Sequence, residues 1–268
     1  MPELLKILSS KDFTKENIKY LLKVDDIEKR KIIRENAKKN KKKLKNDYHN
    51  SEKVIEISNY CDASCVFCQS RCENSMTPRF RLNREEIIEE VIKQYKKGYN
   101  SVLLHSGYDK FYNSERMAYI IYSIKKMANI KITLSFGLRD FNDYKEWKIA
   151  GADSYFLNFV TSNSQLYDNT KSWGRFEDRI SHIGELKRLG YNIGTGSIIG
   201  LPNQNINDLA EDILLCKNLN VDYIDFCHFN FSNGNTEELS IEEFIRRGVS
   251  VAQLVNENKN VRLNNLIN

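Results

Sequence analysis

Three cysteines lie close together in the segment SNYCDASCVFCQSR, residues 58–71. They are Cys61, Cys65 and Cys68, in a chain that has only six cysteines among its 268 residues. Thiolates crowded into one loop are typical ligands of zinc or of an iron–sulfur cluster. The spacing therefore predicts a metal site, with three structural residues in one loop as the less favoured alternative.

The number of thiols in this segment bears on the choice between zinc and iron. A structural zinc site takes four ligands, usually in two separated pairs. No second Cys-x2-Cys pair and no paired histidines follow downstream, and Cys72 stands at an unsuitable spacing behind Cys68. Three cysteines on a cubane 4Fe-4S cluster would leave one iron open to another ligand. The segment favours such a cluster, and a structural zinc protein stays as an alternative.

The elements that position these cysteines follow from the periodicity of the sequence. The strand-like segment KVIEIS, residues 53–58, directly precedes the cysteine loop, and strand and helix patterns then alternate about six times. This alternation predicts parallel strands joined by helical crossovers. Predicted strands cover 101–106, 131–136, 154–160, 192–200, 222–229 and 260–263, and predicted helices cover 83–98, 114–128, 141–149, 176–189, 207–219 and 240–256.

Both an open doubly wound sheet and a barrel fit this pattern. Polar residues within and at the ends of the strands, such as Thr133, Ser135 and Asn158, favour a barrel, whose chemistry lies at the carboxyl ends of its strands. Six or seven units are fewer than the eight of a closed TIM barrel. We therefore predict an α/β fold with a partial, laterally open (βα)6–7 barrel over residues 51–268. Residues 1–50 show helical patterns without strand signals, which predicts an N-terminal helical extension.

Composition and charge narrow the class of protein. Hydrophobic residues make up 41% of the chain, but no apolar run approaches the roughly 18 residues of a membrane helix. The amino-terminal segment MPELLKILSSKDF has no secretory-signal pattern, so we expect a cytoplasmic protein. The net charge is +5 and is densest in KKNKKKLK, residues 38–45, which has no interleaved aromatic residues. A solvated helix face is therefore favoured there over nucleic-acid binding.

Cys61-x3-Cys65-x2-Cys68, with Phe67 before the last cysteine, resembles the signature of the radical S-adenosylmethionine (SAM) superfamily. The segments LLHSGYD, ITLSFGLRDFNDYKEWKIAGAD and GTGSIIGLPNQNINDLAEDILLCKNL resemble blocks of one subgroup. That subgroup contains the FeFe-hydrogenase maturase HydE, the methylornithine synthase PylB and biotin synthase. The resemblance implies a radical SAM barrel that binds a 4Fe-4S cluster and SAM. It also implies an external electron donor, such as ferredoxin or flavodoxin, and a small-molecule substrate.

The resemblance also assigns roles to individual residues. Cys61, Cys65 and Cys68 would ligate the cluster, and His105 is the candidate catalytic contact with the substrate. The expected cofactor contacts are Phe67 near the adenine, Ser106 and Gly107 at the SAM amino group, Ser135, Asn158 at the ribose, Arg179 at the SAM carboxylate, and Ile199 in the adenine-framing segment GSIIGLPNQ. Judged from the residues alone, Arg179 would equally be an exposed helix charge and His105 a histidine bonded within its loop.

Several positions depart from the subgroup. Val160 stands where the family places an acidic residue that helps to hold SAM, and Asp225 is a candidate substitute. Loss of a hydrogen bond to a charged group costs about 1.5–3 kcal/mol. The second-cluster cysteines of biotin synthase would fall at Leu104, Thr133 and Gly194, which cannot ligate iron, so sulfur insertion from a second cluster is not expected. The chain ends at VRLNNLIN where the family continues, which suggests a barrel open to the side.

Two functions follow from these observations. The first is a radical SAM enzyme that cleaves SAM to a 5′-deoxyadenosyl radical and acts on a small substrate, closest to the HydE branch. The alternative is a relative that binds the cluster and SAM but serves as a non-catalytic scaffold. Val160 and the short carboxyl terminus motivate the alternative.

Overall fold

The structure is a computed structural model that describes residues 1–10, 12–43, 52–228, 240–256 and 259–264. Its helices are α1 Pro2–Ser9, α2 Lys15–Lys23, α3 Ile27–Lys43, α4 Arg84–Lys96, α5 Ser114–Met127, α6 Phe141–Ala150, α7 Ser164–Asn169, α8 Phe176–Arg188, α9 Ile206–Asn218 and α10 Ile241–Val255. Its strands are β1 Lys53–Ser58, β2 Ser101–Ser106, β3 Lys131–Ser135, β4 Ser154–Phe156, β5 Asn192–Thr195, β6 Ile198–Ile199, β7 Tyr223–His228 and β8 Asn260–Asn264.

The chain divides into two compact units. We call residues 47–158 and 171–194 the cysteine unit, and residues 1–46, 159–170 and 195–268 the terminal unit. The predicted boundary at residue 50 lies outside the described residues, as does part of the lysine-rich segment 38–45. The assignment of residues 1–50 and 51–268 to separate domains therefore stays a prediction.

In the cysteine unit, β1 to β5 pair in chain order, and all four pairings are parallel. Parallel pairing brings the carboxyl ends of the strands to one edge, so the loops that follow β1 and β2 are neighbours. Helix α5 shows why the sequence forms this layer. Asn113 caps its start, and its buried residues Met117, Ile120, Ile121 and Ile124 recur at helical spacing on one face.

In the terminal unit, β6, β7 and β8 are also parallel. Helix α2 packs against α9, and α3 packs against α10. Helix α2 buries one apolar face, formed by Ile18, Leu21 and Leu22, and Thr14 caps its start. None of the described helices combines the length and the apolar character that crossing a bilayer requires.

The structure corrects the bounds of two predicted strands. The strand predicted over 154–160 ends at Phe156, and Val160 takes a positive φ of 72°, which is incompatible with a strand. The strand predicted over 192–200 is split into β5 and β6 on either side of Gly196. A Cβ on Gly196 would lie 1.9 Å from the carbonyl oxygen of Asp225, so only glycine fits at this close backbone approach. The short helix α7 was not predicted.

Candidate functional site

The loop after β1 carries the three cysteines in the predicted place. Cys61, Cys65 and Cys68 are all half-buried. The backbone N–H of Cys68 donates to the carbonyl of Cys65 at 3.0 Å, and the N–H of Arg71 donates to the carbonyl of Cys68 at 3.3 Å. These two hydrogen bonds close successive turns, which fix the backbone from Cys65 to Arg71. Phe67 is half-buried within the same loop.

One arginine side chain closes this loop. The Arg79 guanidinium donates to the carbonyls of Asn59, Ser70, Arg71 and Asn74, with three of the four distances between 2.7 and 3.1 Å. A planar guanidinium with five N–H donors can serve several carbonyls at once, which a lysine cannot do with the same geometry. Arg79 thus fixes the loop from Asn59 to Asn74. Nothing in the sequence pattern singled it out.

The surroundings of the sulfurs fit thiolate ligands. The Sγ of Cys61 accepts hydrogen bonds from the backbone N–H groups of Ala63 at 3.4 Å and Tyr108 at 3.3 Å. Burial raises the pKa of Cys61 against these two donors, and burial raises the pKa of Cys68 to about 11. A bound metal deprotonates its thiol ligands, and hydrogen bonds to sulfur then tune the cluster that the sulfurs hold.

The described residues bear on which metal group the three thiols could hold. Among them, no three histidine, cysteine, aspartate or glutamate side chains lie close enough together to hold one metal ion. A cubane cluster is larger than an ion, so its three thiolates stand farther apart. An all-thiolate donor set suits iron–sulfur clusters. Cys61, Cys65 and Cys68 therefore fit the donor set of a 4Fe-4S cluster.

The loop after β2 packs directly on the cysteine loop at Gly107. A Cβ on Gly107 would lie 2.5 Å from the Cβ of Cys61 and 2.6 Å from the carbonyl oxygen of Tyr60. The N–H of Asp62 also donates to the carbonyl of Tyr108 at 3.1 Å. Any side chain at position 107 would therefore collide with the cysteine loop itself. Ser106 donates to the carbonyl of Gly107 at 2.7 Å.

A buried carboxylate ties the same two loops together. Asp109 accepts hydrogen bonds from the Ser58 hydroxyl at 2.7 Å, from Arg81 Nε at 2.8 Å and from the Phe111 N–H at 3.0 Å. Ser58 in turn accepts from the N–H of Tyr60 at 3.0 Å. Burial alone would raise the pKa of Asp109, but the hydrogen bonds from Arg81 and Ser58 outweigh burial and lower it. Asp109 is therefore an ionised anchor. Sequence reasoning missed it, although it stands in the quoted segment LLHSGYD.

The candidate catalytic residue His105 lies in a row of polar side chains across three strands. Glu56 on β1 is in register with His105 on β2, which is in register with Ser135 on β3. Nδ1 of His105 lies 3.3 Å from Oγ of Ser135, so the structure brings these two predicted residues together. Burial lowers the pKa of His105 to about 4 and raises the pKa of Glu56. His105 is consequently neutral near pH 7.

Arg179 is not an exposed helix charge. It lies in the first turn of α8, its side chain is buried, and its Nη1 donates to the carbonyl of Asn158 at 2.7 Å. Its Nη2 donates to the carbonyl of Trp173 at 3.2 Å. The structure thus brings the predicted residues Arg179 and Asn158 together and holds the guanidinium in one orientation.

The remaining predicted cofactor contact, Ile199, lies in the terminal unit. It is buried in β6, opposite His228 on β7. The turn that follows is closed by Gln204, whose side chain accepts from the N–H of Gly200 at 2.7 Å and donates to the carbonyl of Ile198 at 3.0 Å. The segment GSIIGLPNQ is therefore a strand end with a side-chain-locked turn.

A second buried carboxylate lies in the terminal unit. Asp212 on α9 accepts hydrogen bonds from both the N–H and the hydroxyl of Ser162 at 2.6 Å, and from the Thr161 hydroxyl at 3.3 Å. Burial raises the pKa of Asp212 to about 7 against these donors. The adjacent Val160 is buried with a positive φ of 72°, an unusual conformation for a β-branched residue.

The proposed substitute for the missing acidic residue is already engaged. Both carboxylate oxygens of Asp225 accept hydrogen bonds from Arg262, at 2.6 Å from Nε and 2.5 Å from Nη2. Such a two-pronged pair neutralises the carboxylate. Asp225 therefore does not offer a bare negative charge in place of the acid missing at Val160.

The sequence of this chain is similar to one protein family and to characterised members of it. The family model described as the radical SAM superfamily matches residues 55–216. The [FeFe] hydrogenase maturase subunit HydE of Thermotoga maritima is 34% identical over 222 residues, which cover 83% of this chain and 64% of that protein. The 3-methylornithine synthase of Methanosarcina acetivorans is 27% identical over 168 residues, 60% of this chain and 48% of that protein. The chain thus spans less than two thirds of the length of these two relatives.

Solved structures show the fold. The crystal structure of methylornithine synthase (PylB) superposes with a TM-score of 0.78 at 21% identity, covering 97% of this chain and 85% of that one. The FeFe-hydrogenase maturase HydG from Carboxydothermus hydrogenoformans gives a TM-score of 0.82 at 19% identity, covering 98% and 65%. The predicted fold class, a partial TIM-type barrel, is confirmed.

Proposed function

Because the chain belongs to the radical SAM superfamily, we propose that it is an enzyme that binds a 4Fe-4S cluster and SAM and acts on a small substrate, in the manner of the HydE branch. The observation that carries the proposal is the cysteine loop after β1. It has three half-buried thiols, and the backbone of Gly107, in the loop after β2, packs on Cys61. The family match and the HydE relative support an enzyme rather than a non-catalytic scaffold.

Cys61, Cys65 and Cys68 would hold the cluster. When bound, the cluster and SAM together supply one-electron cleavage of the sulfonium C–S bond, which yields methionine and a 5′-deoxyadenosyl radical. The protein's own part is to hold the thiolates in a fixed, partly water-shielded loop, and Arg79 and Asp109 do so through the hydrogen bonds described above.

The loop after β2 and the start of α8 would bind the two ends of an amino-acid group. Ser106 and Gly107 would receive the SAM amino group, and Arg179 its carboxylate. The Arg179 guanidinium is already oriented by the carbonyls of Asn158 and Trp173, so little of its freedom would be lost on binding. The other cofactor contacts that the family resemblance implies would come from Phe67, Ser135, Asn158 and Ile199.

His105 would contact the substrate as a neutral hydrogen-bonding group. Its pKa of about 4 excludes a cationic role near neutral pH, and the bond to Ser135 orients the ring. An external low-potential electron donor, such as a ferredoxin or a flavodoxin, completes the proposal.

Anaerobic reconstitution with iron and sulfide tests this function. We expect the ultraviolet–visible and electron paramagnetic resonance (EPR) spectra of a 4Fe-4S cluster, and we expect 5′-deoxyadenosine when SAM and dithionite are added. Replacing Cys61, Cys65 or Cys68 by alanine should abolish the cluster, whereas the matched control Cys72→Ala, in the same loop, should retain it. A cluster that binds SAM but never yields 5′-deoxyadenosine would overturn the catalytic proposal.

A further inference from the structure

Two aromatic side chains from distant parts of the cysteine unit stack on each other. The rings of Tyr108 and Trp173 have centroids 4.6 Å apart and an interplanar angle of 25°. This arrangement falls in the range of favourable aromatic pairs. Tyr108 follows Gly107 in the loop after β2, and Trp173 precedes α8. The stack therefore joins the two segments to which the proposed function gives the two ends of the SAM amino-acid group.

On one side of the stack, the backbone of Tyr108 is fixed to the cysteine loop. Its N–H donates to the Sγ of Cys61 at 3.3 Å, and its carbonyl accepts from the N–H of Asp62 at 3.1 Å. Arg139 supports the same loop from within, because it donates to the carbonyls of Asp109 at 3.0 Å and Tyr112 at 2.6 Å. The Tyr108 ring thus projects from a backbone whose position depends on the proposed cluster ligand Cys61.

On the other side, the backbone of Trp173 is fixed to Arg179. The Trp173 carbonyl accepts from Nη2 of Arg179 at 3.2 Å. The next residue, Gly174, has a φ of 73°, and a Cβ there would lie 2.4 Å from Cδ1 of Leu138. The glycine lets the chain turn tightly beneath the tryptophan. A continuous set of contacts thus runs from Cys61 through Tyr108 and Trp173 to Arg179.

We propose that the Tyr108–Trp173 pair is a positioning device that sets the spacing between the amino-binding loop at Ser106–Gly107 and the carboxylate-binding Arg179. This inference rests on the proposed function, because it assumes that these two segments bind the amino and carboxylate groups of SAM. Both groups are attached to one carbon atom, so the two receptors must stand at a fixed separation. A misplacement of about 1 Å can reduce the rate of a positioned reaction about a hundredfold.

A purely structural role predicts a different result. If the pair only stabilised the fold, its loss would weaken the binding of all ligands together or would lower the unfolding temperature alone. If the pair sets the spacing of the two receptors, its loss should affect ligands that carry the amino-acid group and spare those that lack it. SAM and 5′-deoxyadenosine form such a pair of probes, because only SAM has the amino and carboxylate groups.

The test is ligand binding to the reconstituted protein, measured for both probes by equilibrium dialysis. For Trp173→Ala and Tyr108→Leu we expect SAM binding weaker by about ten- to a hundredfold, the loss that follows when a hydrogen bond to a charged group is broken, with 5′-deoxyadenosine changed less than about twofold. Trp173→Phe, which keeps a ring, should restore most of the SAM affinity. In the double variant the loss should be no larger than in either single variant, since each change breaks the same contact. Tyr122→Ala, which removes an aromatic residue that is 54% exposed on α5, is the matched control.

A second measurement is made at SAM concentrations that saturate each protein, so that it reports the position of bound SAM and not its affinity. SAM changes the EPR spectrum of the reduced cluster when its amino-acid group reaches the iron, and in Trp173→Ala this change should shrink while the spectrum without SAM stays as in the wild type. Equal loss of both probes, or unchanged SAM binding in both single variants, would overturn the inference and leave the proposed function standing. A wild-type protein that assembles the cluster but binds no SAM would instead overturn the proposed function, and the inference with it.

Discussion

Asp109 and Asp212 are two buried carboxylates that each hold a loop following a strand, but their electrostatic environments are opposite. Asp109, in the cysteine unit, is bound by the cationic Arg81 as well as by neutral donors, and its pKa is lowered. Asp212, in the terminal unit, receives hydrogen bonds from neutral Ser162 and Thr161 among the described residues, and burial raises its pKa to about 7. Only the first is a permanently charged anchor.

The comparison indicates which loop can change with pH. An ionised carboxylate paired with arginine keeps its hydrogen bonds across the physiological range. Burial raises the pKa of Asp212 to about 7 against its neutral donors, so this carboxyl takes up a proton near neutrality, and a protonated oxygen must then donate where it had accepted. The cysteine loop therefore rests on a pH-independent support, whereas the Thr161–Ser162 loop rests on a group that titrates.

Removal of the charged anchor should give the largest effect. Asp109→Ala leaves the buried Ser58 hydroxyl and the Phe111 N–H without their acceptor, whereas water can solvate Arg81, whose side chain is 37% exposed. A hydrogen bond to a charged group contributes about 1.5–3 kcal/mol, so loss of these two costs about 3–5 kcal/mol. The free energy of unfolding, measured with urea under anaerobic conditions, should fall by about this amount.

The matched control for this prediction is Asp62→Ala. The Asp62 carboxylate lies 4.0 Å from Nζ of Lys110, and both side chains are exposed. Exposed pairs contribute about 0–1 kcal/mol, so this variant should unfold nearly like the wild type. Equal losses for Asp62→Ala and Asp109→Ala would show that Asp109 is not the anchor of the two loops.

Asp212→Asn should change how stability depends on pH. The pKa of Asp212 is about 7 in the folded chain against an ordinary value of 3.8, so the folded state holds its proton more tightly. The stability from this group is fully present below about pH 4 and is lost as the pH rises through about 7. Between pH 5 and 8 the loss amounts to about 2–3 kcal/mol, and it should vanish in the variant. Urea unfolding of both proteins from pH 5 to 8 measures the difference. Parallel curves would contradict the assignment.

His105→Asn should have an effect of opposite sign and somewhat smaller size. The pKa of His105 is lowered from 6.5 to about 4, so its stabilising contribution is fully present above about pH 6.5 and is lost as the pH falls toward 4. Over pH 5 to 8 this gives a rise of about 2 kcal/mol with pH, which nearly offsets the fall from Asp212. In the wild type these two contributions nearly cancel, so together they should change the free energy of unfolding little between pH 5 and 8. In His105→Asn only the contribution of Asp212 remains, so the free energy of unfolding should fall from pH 5 to pH 8. A rise over this range would contradict the prediction.

The local parts of this architecture could be predicted from the sequence. The helix predicted over 83–98 is α4, which Asn83 caps with Glu86 completing the capping box, and the cysteine loop follows β1 as expected. Periodicity and caps depend on neighbours within a few residues, so a single sequence contains the necessary information. The cysteine spacing was sufficient to indicate an iron–sulfur site for the same reason.

The supports of the site could not be predicted in this way. Arg79 binds carbonyls that precede it by up to 20 residues, Asp109 meets Ser58 across 51 residues, and Tyr108 stacks on Trp173. Such contacts depend on how the strands are placed side by side, and no local pattern encodes them. The positive φ of Val160 was likewise invisible, since valine ordinarily favours a strand.

Val160→Asp is the mildest change and tests the loop that Asp212 holds. The family resemblance places an acidic residue at the position of Val160, whose φ of 72° aspartate tolerates better than valine does. The matched control is Val160→Asn, which has the same shape and backbone tolerance without the charge. If an acid at this position helps to hold SAM, Val160→Asp should bind SAM about tenfold more tightly than Val160→Asn in equilibrium dialysis, which corresponds to about 1.4 kcal/mol. Equal affinities would show that an acid at position 160 does not help this chain to hold SAM. The loop held by Asp212 would then differ from the cysteine loop in its role in SAM binding as well as in the charge of its support.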